Sequence, residues 1–98
     1  MSELMKNLAP VRSAVELAPV LTGAQIRAAR ALLKWTGHQL AERSGVSYPA
    51  LQRAERTDEM PNMQVRNLAA IKAALEAGGV IFLDGPYHGD GGAGVRLR

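Results

Sequence analysis

The stretch Gly37–Arg56, GHQLAERSGVSYPALQRAER, with Thr36 ahead of it and a loop opening at Thr57 behind it, decides the fold. Thr36 followed three residues later by Gln39 has the spacing of a capping box, in which the hydroxyl accepts a first-turn backbone N–H and the amide reaches back to the cap. A helix is therefore expected to begin at Gly37. Leu40 and Ala41 are read as facing inward, and a side chain as small as Ala41 lets a second helix cross closely, at the wide angle of a helix-turn-helix. Gly45 takes the left-handed backbone that ends the first helix at little steric cost. Ser47 then caps the second helix, and Pro49 fits its first turn because the early N–H groups there have no intrahelical partner. Leu51 and Ala54, three apart, share the inner face. Tyr48, Pro49, Ala50, Gln52, Arg53 and Arg56 are left for the ends and the outer face. An exposed helix carrying an aromatic ring, an amide and two guanidiniums suits the major groove of duplex DNA.

The set of apolar Leu40, small Ala41, turn Gly45, Val46, Ser47 and inward Leu51, followed by Arg53-Ala54-Glu55-Arg56, resembles the helix-turn-helix of the Cro and phage-repressor family, also called XRE-like. The resemblance extends over Thr22 to Ala77 and departs at Pro49, where that family usually has a polar base-reader, at Ser44, where an apolar residue is commoner, and at Gly37, where a polar side chain often contacts DNA. What it implies is a mainly α fold, a four-to-five-helix phage-repressor-like DNA-binding domain. It also implies an ion pair between Arg30 of the preceding helix and Glu55.

Working outward, Thr22 and Gln25 repeat the capping-box spacing, and Ile26, Ala29, Leu32 and Leu33 make an apolar stripe at helical period. Trp35, the only tryptophan, falls at the junction with the next helix and is read as core. After the charged loop Thr57 to Pro61, whose Asp58 and Glu59 are expected to turn away from phosphates, Asn62 is read as the cap of a long helix Met63–Ala77. Its core residues are taken as Val65, Leu68, Ala69, Ile71 and Leu75, and Gly78 and Gly79 end it.

Residues 1–21 carry two Ala-Pro pairs around the short helical stretch Val11 to Leu17 and are read as an arm. Residues 22–78 are the helix-turn-helix domain, and residues 79–98 are a β tail in which Val80–Leu83 and Val95–Arg98 flank a glycine-rich connection. A lone two-stranded hairpin is marginally stable. Val80, Ile81, Phe82, Leu83, Val95 and Leu97 are therefore expected to dimerise, in a four-stranded sheet formed by two subunits and laid on helices.

At 98 residues, with 47% hydrophobic and 21% charged positions, the chain is one small globular domain with a modest core that a partner subunit would stabilise. The absence of cysteine excludes disulfides, thiolate metal sites and cysteine nucleophiles, and fits a reducing cytoplasm. No run of about 18 apolar, uncharged residues exists to cross a membrane, and the N-terminal stretch lacks the unbroken apolar core of a secretion signal. Net charge of +3 permits a polyanionic partner without requiring one. Gly89-Asp90-Gly91-Gly92-Ala93-Gly94 matches a dinucleotide fingerprint literally, yet no helix follows to hold a pyrophosphate. Asp84, His88 and Asp90 are read as turn residues and not as metal ligands. With no paired carboxylates, serine-histidine arrangement or phosphate loop, neither an enzyme nor a cofactor is expected.

The functional expectation is a cytoplasmic, sequence-specific regulator of transcription, in the sense of a repressor, that binds an inverted repeat in double-stranded DNA as a homodimer. Arg53 would pair with guanine, Gln52 with adenine or a phosphate, and Tyr48, Pro49 and Ala50 would meet thymine methyls. Thr36, Gly37, His38, Ser47, Arg56, Asn62 and Arg66 would hold the phosphates. The alternative is an antitoxin-like module that masks a partner protein and autoregulates through the same motif. RNA binding has little support, because aromatic side chains for stacking on unpaired bases are few.

Overall fold

The computed structural model describes residues 21–83 and 93–98, so the readings made for residues 1–20 and for the connection 84–92 lie outside the described residues. The described chain is mainly helical: α1 (Gly23–Leu33), α2 (Gly37–Ser44), α3 (Tyr48–Arg56) and α4 (Val65–Ala77) precede an antiparallel hairpin of β1 (Val80–Leu83) and β2 (Gly94–Leu97).

The first three helices start where local chemistry places them. Thr22 and Thr36 each form a complete capping box with Gln25 and Gln39, and Ser47 Oγ accepts the N–H of Ala50. Gly45 ends α2 at φ 77°, whereas α1 ends on Lys34 at φ 59°, a left-handed conformation that costs a residue with a Cβ about 1–2 kcal/mol.

One core joins all the elements. Ile26 and Ala29 of α1, Leu40 of α2, Val46 of the turn, Leu51 and Ala54 of α3, and Leu68, Ile71 and Leu75 of α4 are buried together with Leu21 ahead of α1 and Val80 of β1. Trp35 is half-buried against this core, with its indole edge over Gly78; a Cβ there would come within 2.7 Å of the ring.

Several expectations are corrected by packing. Leu21, read as the end of an arm, is fully buried, because the entry into α1 runs over the core. Asn62 does not cap α4: the helix starts at Val65 with Gln64 as N-cap and no capping side chain, since Gln64 Oε1 accepts from Arg66 Nε at 3.0 Å. Val65 and Ala69 are exposed, because the stripe of Leu68, Ile71 and Leu75 turns them off the core side. Leu32 is likewise exposed, and Gln25, a polar residue, is buried in its stead.

The tail lies on the helices, as expected of it, and departs from the reading at Val80. Val80, expected at a subunit interface, is fully buried in the chain's own core, and Phe82 and Val95 pack against that core as well. Strand pairing of Val80 with Leu97 and Phe82 with Val95 places these four on one face, and the part of it formed by Val80, Phe82 and Val95 lies on α1 and α4. Gln25 fastens it, its Nε2 donating to the carbonyls of Gly94 at 3.0 Å and Leu83 at 3.4 Å. Leu83 and Leu97 stay exposed, and Ile81 is half-buried. Among the described residues, no helix is long and apolar enough to cross a membrane.

Candidate nucleic-acid interface

The outer face of α3 is built from its inner one. With Leu51 and Ala54 buried, the helical period turns Pro49, Gln52, Arg53 and Arg56 to solvent. Arg53 and Arg56 lie in the last turn, where the helix dipole favours cations. Ala50, expected on the outer face, is half-buried and packs against the core. Tyr48 is half-buried too: its ring stacks on His38 at a centroid distance of 3.8 Å, and its edge lies over Gly37, where a Cβ would come within 2.9 Å. The N-termini of α2 and α3 are thus joined by a flat aromatic pair.

α3 stands as a ridge between two open grooves. One, of about 730 Å³, separates Arg53 and Ala50 from Met60, Asn62, Gln64 and Asn67 of the following loop and the start of α4. The other, about 350 Å³, is lined by Gly37, Tyr48, Gln52 and Arg56 together with Arg27 and Arg30 of α1. The expected site residues are therefore divided between two walls, Arg53 with Asn62 and Arg56 with Gln52. Arg66 lies on the exposed face of α4 and lines neither groove. Thr36 and Ser47 spend their hydroxyls on capping.

Charge holds the ridge in place. Arg30 and Glu55 form a two-point ion pair, Nε to Oε2 at 3.0 Å and Nη2 to Oε1 at 2.9 Å, and the remaining Nη1 donates to the Trp35 carbonyl at 3.1 Å. Both side chains are mostly shielded, and the Glu55 hydrogen bonds raise the Arg30 pKa above its ordinary value, more than burial lowers it. One turn earlier on α1, Arg27 hydrogen-bonds the backbone oxygens of Glu55 and of Thr57, the latter at 3.1 Å, and pairs with the Asp58 carboxylate. α3 ends on the extended residue Thr57, so Arg27 satisfies carbonyls for which the helix has no further N–H. The Arg43 guanidinium lies 4.4 Å over the Trp35 ring.

Arg27, Gln64 and Asn67 were not singled out from the sequence. Arg27 stands three residues before Arg30 on the same helix, and Gln64 and Asn67 are two amides at one-turn spacing; that periodicity was the available signal. Among the described residues, no group of three or more potential metal ligands occurs. Comparison of the chain with known protein families and with curated proteins finds no match.

Proposed function

We propose that the protein binds double-stranded DNA in a sequence-specific manner through α3 and regulates transcription, in the sense of a cytoplasmic repressor of the Cro and phage-repressor type. The single observation that carries this reading is the ridge: α3 presents an amide and two guanidiniums outward between two open grooves. A helix in a major groove needs such relief, since base edges lie beneath it and a phosphate strand runs along each side. Arg53 then pairs with guanine, Gln52 with adenine, and Pro49, with the exposed edges of Ala50 and Tyr48, meets thymine methyls. Arg56, His38, Asn62 and Arg66, and the N–H groups of Gly37 and its neighbours, take the phosphates.

A two-fold dimer on an inverted repeat, with reading helices about 34 Å apart, completes the proposal. Leu97 of β2 remains exposed and, among the described residues, β2 has a strand partner on one edge only, so the second copy is assigned to the free edge of β2. The same surface would serve an antitoxin-like role, in which the occupant is a different protein.

Footprinting on the DNA upstream of the protein's own gene tests the reading. A protected inverted repeat bound at least about a thousandfold more tightly than random DNA is expected. Equal affinity for all sequences, or none at low salt, overturns it.

A further inference from the structure

We propose that Arg27 is an additional DNA-backbone contact and that Asp58 occupies it in the free protein as a stand-in for a phosphate; the inference rests on the DNA-binding reading above. Arg27 divides its donors. Nη1 faces the carbonyl oxygens of Glu55 and Thr57, a fixed part of the fold, whereas among the described residues Nη2 faces only the carboxylate of Asp58. The two partners differ in the same way in their hold on the protein: the Arg27 side chain is 39% exposed and that of Asp58 81% exposed. An ion pair this open to water contributes little to stability, so the fold does not depend on it.

The place of Arg27 in the groove gives the pair a consequence. Arg27 lines the same groove as Gln52 and Arg56, on the side of α3 where one phosphate strand would run. Arg30, in the same groove, has its charge matched by Glu55, so Arg27 and Arg56 are the cations left to meet an anion once Asp58 swings aside. A carboxylate and a phosphate use the same guanidinium edge, so an incoming phosphate takes the place of Asp58 without disturbing the carbonyls held by Nη1. Asp58 therefore lowers affinity for every DNA sequence alike, since it competes with backbone and not with bases.

The test is a salt titration of binding to the footprinted site and to random duplex, for the wild-type chain, Asp58→Asn, Arg27→Gln and the double variant. Glu59→Gln serves as control for the general loss of a negative charge, because the adjacent carboxylate has no ion-pair partner among the described residues. Asp58→Asn is expected to tighten binding to both DNAs by about threefold, the order of an exposed ion pair that no longer has to open. Arg27→Gln should flatten the plot of log K against log salt by about 0.9, one phosphate, whereas Asp58→Asn, which makes the same contact, should leave the slope near that of the wild-type chain. The gain should vanish in the Arg27→Gln background and exceed that of Glu59→Gln. Equal gains for Asp58→Asn and Glu59→Gln, or a gain that survives loss of Arg27, overturn the proposal while leaving DNA binding intact. A wild-type chain that binds neither DNA overturns the functional reading first, and this inference with it.

Discussion

Gly23, the first residue of α1, lies against the carbonyl of Thr57, and a Cβ on it would fall well inside contact distance of the Thr57 and Ala54 oxygens. Its N–H donates to the Glu59 carbonyl at 2.8 Å. Gly23, Arg27 and Arg30 follow at one- and two-turn spacing along one side of α1, and all three meet the last turn of α3 or the loop after it. α3 is therefore seated by backbone contact at one point and by guanidiniums at two more. Gly23→Ala is expected to destabilise the fold by about 1–3 kcal/mol, because neither carbonyl belongs to a side chain that can move aside. Thermal unfolding measures this, and an unchanged melting temperature would contradict the close approach.

The Arg30–Glu55 pair gives a second prediction. Removing one partner of a buried pair costs about 3–5 kcal/mol; with Arg30 partly exposed, about 2–3 kcal/mol is expected for Glu55→Ala. Glu55→Gln should lose somewhat less, since it keeps one acceptor for the guanidinium. Urea unfolding of both variants checks the order.

Lys34 offers a gain in stability. It holds a left-handed backbone at the C-cap of α1 with its side chain exposed, so Lys34→Gly removes strain at no cost in packing. A stabilisation of about 0.5–1 kcal/mol is expected, net of the greater freedom of glycine in the unfolded chain. A lowered melting temperature would contradict it.

On the proposed DNA-binding reading, two arginines separate base reading from phosphate holding. Arg53→Ala is expected to cost about 1–3 kcal/mol on the specific site and to relax selection at one base position. Arg66→Ala should weaken specific and random DNA alike and reduce the salt slope by about one. Gel-shift titrations on both DNAs distinguish the two, and equal losses for Arg53→Ala would remove it from the reading face.

The assignment of the second copy to the hairpin is tested at Leu97, 48% exposed, and not by deleting the tail. Deletion would take Val80 out of the core, where it is fully buried. Leu97→Arg is expected to leave the monomer fold intact and to lower the sedimenting mass to that of one chain. A dimer that persists would move the interface elsewhere.

How far the sequence could be read followed the range of the interactions. The starts of α1, α2 and α3 and the turn at Gly45 were legible because each rests on partners within about a turn: Thr22 with Gln25, Thr36 with Gln39, Ser47 with Ala50. The outward direction of Gln52, Arg53 and Arg56 followed from Leu51 and Ala54 by helical period alone. The start of α4 was misread for the same local reason in reverse, since Asn62 looks like a cap and the loop carries the chain past it to Gln64. The Arg30–Glu55 pair entered only through resemblance, because a spacing of 25 residues has no local signature.

Local hydrogen bonds and helical period, then, were enough to set the order of the helices, their caps and the face that α3 turns outward. Which way the hairpin lies, why position 23 admits no side chain, what Gln25 is buried for and where Arg27 reaches were decided by tertiary packing. Gln25 meets carbonyls 58 and 69 positions away, and Arg27 meets the end of α3 from 28 positions earlier. Contacts at such separations exist only after the chain has closed on its core, and no periodicity along the sequence encodes them.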